Sequence, residues 1–373
     1  MTDASGPAEA EAGGILTIDL AAIVANWRAL AQRAKPAQCA AVVKADGYGC
    51  GLEQVADALA RAGCDTFFVA NLAEARRARM AAPKAVVYVL NGLLPGTAPA
   101  YADSNLRPVI GSSAELDEWS AFRRASGWRG EAALHVDTGM NRLGFAREEA
   151  AQIAGRLGQS HGIALVMSHF ACSEEEHPLN AAQIGRFRAI RAHFPGIAGS
   201  LANSSGIFLG PDAHHDLVRP GVALYGANPT PTKANPMQPV VTLQGRVVQL
   251  RDVAQGETVG YSATWTAKRP TRLAVVSVGY ADGFLRAASA SDARPGAEAI
   301  VAGQRCPLAG RVSMDLIAID VTDVPPASLT RGDLVDLLDT EIGVDDLAVR
   351  AGTIAYEVLT SLGRRYRRVY SGR

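Results

Sequence analysis

Residues 39–70 read CAAVVKADGYGCGLEQVADALARAGCDTFFVA, and the parsing of this stretch decides the organisation of the chain. Residues 39–43 form a short apolar run that reads as a strand. Residues 51–63 read as a helix, because Leu52, Val55, Ala56 and Leu59 recur at helical spacing and Gly63 closes the run. Residues 66–70 are again strand-like. Two strands joined through a helix pair in parallel, because the crossover is too long for a hairpin. The same alternation continues outward. Residues 72–82 predict a helix, and 85–90, 105–110, 132–136 and 162–168 predict further strands. Several such units in a row suit a TIM-type (β/α)8 barrel or an open doubly wound sheet.

Near residue 237 the texture changes. Segments 240–250, 273–278, 299–301, 316–321 and 333–338 are strand-like, with short turns of Gly, Pro and Asp between them. This predicts a separate mainly-β domain. Residues 344–352 and 358–362 read as helical. The Pro-rich stretch 228–239 is the natural boundary. The predicted domains are therefore a flexible tail over 1–14, an α/β barrel over 15–236, and a C-terminal β domain with a terminal helical segment over 237–373.

The bulk composition narrows the function classes. The chain has 373 residues, of which 48% are hydrophobic, enough for a sizeable core and two domains. Lys plus Arg number 37 and Asp plus Glu number 37, so the overall charge makes no case for nucleic acid or an anionic membrane as partner. The five cysteines, Cys39, Cys50, Cys64, Cys172 and Cys306, are odd in number and widely spaced. They argue against a disulfide framework and a zinc site, and for a reducing compartment. The acidic, Ala/Gly-rich beginning lacks the features of a secretory signal, and no apolar run is long enough to span a bilayer. The expectation is a cytoplasmic protein.

Chemistry concentrates at strand ends. Lys44 stands directly after the strand in AVVKADGYGCG, before a glycine-rich turn, at the barrel end where catalysis occurs. Partial desolvation there frees an amine for Schiff-base chemistry. An exposed lysine beside a structural turn reads equally well. In LANSSG, Asn203, Ser204 and Ser205 offer short donors for a phosphate, but a capped turn explains them better in isolation. In VRPGVALYG, Pro220 fixes the chain and Gly221 permits close approach to the backbone. Arg219 suits a heteroaromatic nitrogen, although a surface ion pair is the common use of such a residue. Arg142, in HVDTGMNRLGF, suits a carboxylate or phenolate. His169, in MSHF, reads more readily as structural. Tyr261 in GYSATW and Tyr280 in GYADGF read first as half-buried packing residues. His161, His177, His193, His214 and His215 have no ligand spacing, and residues 174–177 read as a solvated loop rather than a metal site.

Singly these motifs are weak, but their order is specific. AVVKADGYG, VDTGMNRLGF, MSHF, ANSSG, VRPGVALYG, GYSATW, VGYADG and GRVSMD, taken together, closely resemble the alanine racemase family over residues 15–370. The resemblance implies a barrel plus β domain, pyridoxal 5'-phosphate as cofactor, a small amino acid as substrate, and a homodimer with shared active sites. It implies that Lys44 carries the cofactor as a Schiff base and that Tyr48, Ser204, Gly221, Val222 and Tyr356 occupy phosphate-site positions, with Asn203 beside them. Arg219 would face the pyridine nitrogen, supported by His169. Arg142 would contact the phenolic oxygen and the substrate carboxylate. Tyr261 from the other subunit would be the second acid/base. Tyr280, Met314 and Asp315 would shape the substrate side. No metal is implied.

Two departures stand out. His135 occupies the position where many members carry a modified lysine that holds the arginine, and Ser313 stands where cysteine is common. The implied activity is two-base racemisation of L- and D-alanine, supplying D-alanine for peptidoglycan. A racemase accepting serine or several amino acids fits the same motifs. A barrel-type decarboxylase or lyase and a single-barrel cofactor carrier fit less well, the carrier because of the long β domain.

Overall fold

The computed structural model describes residues 3–157 and 162–372. The chain divides into two compact units, one of 23–224 with 228–237, the other of 1–22, 225–227 and 238–373.

The first unit is the barrel. Seven strands form one parallel sheet in the order Ala198–Ser200, Ile163–Met167, Ala132–His135, Arg107–Ile110, Val86–Val89, Thr66–Val69 and Ala41–Val42. An eighth, Leu217–Val218, pairs in parallel with Gln38–Cys39, which leads into Ala41–Val42. Backbone bonds from Asp216 N to Gly199 O (3.0 Å) and Arg219 N to Ala202 O (2.9 Å) join it to the other edge and close the ring. Closure removes both sheet edges. The strands read as unbroken apolar runs because both faces are buried, as in Thr66–Val69, which is buried throughout. Helix Leu52–Arg61 buries Leu52, Val55, Ala56, Ala58 and Leu59. Truncating the fully buried Leu59 to Ala would cost about 2–5 kcal/mol.

The predicted barrel strands and the helices at 51–63 and 72–82 fall where expected, within a residue or two. Ala198–Ser200 and Leu217–Val218 were not predicted. Each is too short, and the first too rich in small residues, to show an apolar run. Their pairing comes from neighbours distant in sequence, Ile163–Met167 for the first and Gln38–Cys39 for the second, rather than from local pattern.

The second unit is mainly β. The long strand Val241–Val253 alternates buried and partly exposed residues along its first half, the period-two mark of a one-sided sheet. It pairs antiparallel with Gly14–Asp19, Leu334–Leu338 and Thr271–Val276. Here the expected boundaries need correction. Gly14–Asp19 pairs with Val241–Val253 and, in parallel, with Arg367–Ser371, so the β unit begins before the barrel does. The expected tail is not loose over its described part. Asp3–Ser5 adds antiparallel to Arg367–Ser371, and Arg246 donates to Ala12 O (3.0 Å) and Glu9 O (2.8 Å). Backbone pairing needs no particular side chains, so an Ala/Gly-rich segment takes an open edge as readily as an apolar one. Met1 and Thr2 lie outside the described residues.

Candidate active site

Lys44 follows the strand Ala41–Val42 at the C-terminal end of the barrel strands. Ala45, Asp46, Gly47 and Tyr48 then take φ of 53°, 56°, 63° and 51°, a complete left-handed turn. Left-handed backbone costs roughly 1–2 kcal/mol per residue with a Cβ, so Ala45, Asp46 and Tyr48 together hold about 3–6 kcal/mol of strain. Backbone bonds offset part of this: Gly47 N to Val43 O (3.0 Å), Gly49 N to Ala45 O (2.9 Å) and Gly51 N to Asp46 O (2.8 Å). Two side chains of helix Leu72–Ala81 grip the turn from outside. Glu74 accepts from Ala45 N (2.6 Å) and, through its other oxygen, from Ala70 N (2.8 Å). Arg77 pairs with Asp46 and donates to Glu53 at 2.5 and 2.7 Å.

Lys44 is half-buried. Burial lowers its amine below the usual lysine pKa, the Arg142 charge lowers it further, and Glu74 opposes both. The free amine, the form that attacks carbonyls, is therefore reached at lower pH than for a solvated lysine.

Arg219 is buried, at 3% exposure. It donates to Ser200 Oγ, to Ser168 O (2.6 Å) and towards His169 Nδ1 (3.4 Å). Burial pushes its guanidinium down to about 9, so it stays charged at neutral pH. No carboxylate pairs with it among the described residues. His169 is driven well below its ordinary value by burial first and then by the charge of Arg219, so its ring is neutral and accepts.

The turn after Ala198–Ser200 and the start of 222–225 lie together. Ser204 Oγ accepts from Gly221 N (2.9 Å) and Ala223 N (3.2 Å). A Cβ on residue 221 would come within 2.4 Å of the Tyr48 hydroxyl, so a larger residue there would have to displace the Tyr48 ring. Ser205 Oγ is buried without a hydrogen-bond partner among the described residues. Asn203 is committed to the turn itself, accepting from Gly206 N (2.8 Å) and Ser173 Oγ (2.8 Å).

Arg142 is exposed on a turn built by Asp137, whose Oδ1 accepts from the N–H groups of Gly139, Met140 and Asn141. His135 ends the strand that leads into that turn, and Phe145 N donates to its carbonyl (2.9 Å). Burial brings the His135 ring down to about 4, leaving it neutral. It supplies no anion for Arg142.

Tyr261, Tyr280, Met314, Asp315 and Tyr356 belong to the β unit. Tyr261 is 68% exposed, on a turn entered through Gly260 at φ 79°. Tyr280 N and Ala281 N donate to Ser313 O (3.0 Å) and Met314 O (2.9 Å), which couples GYADGF to GRVSMD. Arg365 bridges Asp282 (3.1 Å) and Asp315 (2.9 Å). His161 lies outside the described residues. Among the described residues no three His, Cys, Asp or Glu could hold a metal ion.

Comparison with known proteins bears directly on this arrangement. Family profiles match residues 18–229 as "Alanine racemase, N-terminal domain" and 240–370 as "Alanine racemase, C-terminal domain". The chain belongs to the alanine racemase family. It is 54% identical to an alanine racemase of Methylobacterium sp. (strain 4-46), over 96% of this chain and 98% of the relative. A relative from Mesorhizobium japonicum described as catabolic is 50% identical over 98% and 95% of the two chains. One from Agrobacterium fabrum described as biosynthetic is 45% identical over 95% and 93%. Among solved structures, the alanine racemase of Bartonella henselae with covalently bound pyridoxal phosphate superposes with a TM-score of 0.91 at 38% identity, covering 96% of this chain and all of that one.

Sequence reasoning missed the residues that hold the site. Glu74 carried a readable signal, the spacing Asn71-x-x-Glu74 of a capping box. Asn71 does cap the helix by accepting from Glu74 N (3.0 Å), but the glutamate reaches beyond the helix to the Lys44 turn. Gln183, fully buried on helix Pro178–Arg191, donates to Thr138 Oγ1 and His169 O (both 2.8 Å) and accepts from Ala171 N (2.9 Å). It ties the His169 loop to the loop leading to Arg142, and nothing in its sequence neighbourhood marks it.

Proposed function

We propose that the chain racemises alanine with pyridoxal phosphate on Lys44, as a homodimer in which each site is completed by Tyr261 of the partner subunit. The observation that carries the reading is the pair Lys44 and Arg219: an amine of lowered pKa at the barrel mouth, and a buried guanidinium with no carboxylate partner among the described residues. A buried arginine, charged at neutral pH and without an acidic partner among the described residues, calls for an electron-rich ligand atom.

The residues fit the cofactor. Tyr48, Ser204, Gly221 and Val222 would hold its phosphate, Tyr356 matching a further phosphate position of the family, and the close approach of residue 221 to Tyr48 and the orphaned Ser205 hydroxyl support an anion there. Arg219 would donate to the pyridine nitrogen and, being cationic, keep it unprotonated. When bound, the cofactor accepts the electron pair left on Cα as the α-proton departs. Lys44 moves a proton on the D face, and Tyr261 of the partner subunit moves one on the L face. Arg142 would take the substrate carboxylate, and Tyr280, Met314 and Asp315 match the family positions that shape the substrate side. Two bases on opposite faces are what inversion requires, since one base returns its proton to the face it came from.

The exposed Tyr261, Met314 (53%) and Leu316 (41%) of the β unit support a covering partner. The absence of a disulfide among the five cysteines accords with a reducing cytoplasm. Supply of D-alanine for peptidoglycan accords with the relatives described as biosynthetic. The test is chiral chromatography of the purified protein with single-enantiomer alanine, serine and larger amino acids. Alanine is racemised fastest; conversion of none of them overturns the reading.

A further inference from the structure

We propose that Glu74 is the positioning residue of Lys44: its carboxylate spans Ala45 N and Ala70 N, holding the left-handed turn that presents the amine. The assignment rests on the reading of Lys44 as the cofactor-binding residue.

The geometry is specific. One oxygen takes the first N–H after Lys44 at 2.6 Å; the other takes the N–H that ends the neighbouring strand at 2.8 Å. Each oxygen is thereby assigned, and the site demands an acceptor on both. An amide in place of the carboxylate would aim its NH2 at one of these donors. Ala45 has left-handed φ and a Cβ, so the backbone at that residue does not hold its shape by preference.

The same device recurs once removed from the lysine. Glu115, at the same place in helix Ser113–Ser126, accepts from Gly111 N (2.9 Å) and Leu93 N (2.8 Å), with Ser112 capping the helix as Asn71 does. Its loop carries none of the residues assigned to the site, which makes it a built-in control for a merely structural role.

Glu74 also faces the amine electrostatically. The groups facing Lys44 are Glu74 from helix Leu72–Ala81, Arg142 from the loop after Ala132–His135, and neutral His169 from the end of Ile163–Met167. Removing the Glu74 charge leaves Arg142 unopposed, so the amine titrates at lower pH.

Two measurements test this. Apo-protein is mixed with pyridoxal phosphate, the product is fixed with borohydride, and peptide mapping gives the rate of capture on Lys44. Separately, trace acetylation across pH, without cofactor, gives the ionisation midpoint of Lys44. Glu74→Gln slows capture per free amine by roughly tenfold or more, because misplacement by a fraction of an ångström suffices, and moves the midpoint to lower pH. Glu115→Gln lowers thermal stability comparably but leaves capture and midpoint at wild-type values. If Glu74→Gln does not fold, Glu74→Asp serves: it keeps the charge but is too short to span both donors, so it slows capture. Wild-type capture and midpoint in Glu74→Gln, wild-type capture in Glu74→Asp, or equal effects from the Glu74 and Glu115 variants, overturn the proposal. Wild-type capture on a different lysine overturns the reading of the site itself.

Discussion

The loops after Ala41–Val42 and after Val86–Val89 are built by the same means and put to different ends. Each is gripped by a glutamate in the first turn of a capped helix, whose two oxygens tie one loop to the end of the next strand. In the second loop the tight backbone is supplied by Gly92 at φ 80°, where a Cβ would stand 2.1 Å from Glu115 Oε1. In the first, three residues with side chains are held left-handed beside Lys44. The loop after Val86–Val89 relieves strain with glycine; the loop proposed to present Lys44 retains strain and holds it with a carboxylate and an ion pair. Strain tolerated next to a reactive group is how a fold fixes a side chain in one direction.

The largest effect that sharpens this contrast comes from Lys44→Ala. It removes the group the first loop is proposed to present, and racemisation falls by at least about a thousandfold, read by chiral chromatography with circular dichroism confirming the fold. A variant that keeps its activity would make the two loops equivalent. Because the Lys44 amine is lowered by burial and by Arg142, cofactor capture by the wild-type apo-protein rises with pH earlier than capture by a solvated lysine peptide. Coincident profiles would mean that the turn does not desolvate the amine.

Next in size is Gly92→Ala. The added Cβ meets Glu115 in a left-handed conformation, so thermal unfolding shows a loss of about 1–3 kcal/mol, while activity per folded molecule is unchanged. A fall in activity would show that the second loop also bears on the chemistry. The smallest effect is that of Ala45→Gly. Relief of the Cβ penalty at φ 53° outweighs the added freedom of the unfolded chain, and stability rises by about 0.5–1 kcal/mol, measured by denaturant titration. Destabilisation would show that Ala45 carries no strain.

The polar network behind the site was less legible than the site. Lys44, Arg219 and Ser204 stand in short motifs because each lies close to a strand end, among turn residues that mark it in the sequence. Gln183 sits mid-helix, 45 positions from the Thr138 to which it donates. Such a contact leaves no local pattern, since its meaning comes from two strands being neighbours in the ring.

By itself the sequence determined the alternation of strand and helix, the change of texture near residue 237, and the ordered motifs of the family. These are local properties: period, turn chemistry and residue type within about ten positions. Tertiary structure decided the rest. It made a strand of Ala198–Ser200 by pairing it with Ile163–Met167 and of Leu217–Val218 by ring closure, and gave Gly14–Asp19 to the β unit through pairing with residues more than 200 positions away. It also turned Glu74 from a helix-capping residue into the grip on Lys44, because a carboxylate acts on whatever donors the fold brings within 3 Å, and sequence distance does not specify which those are.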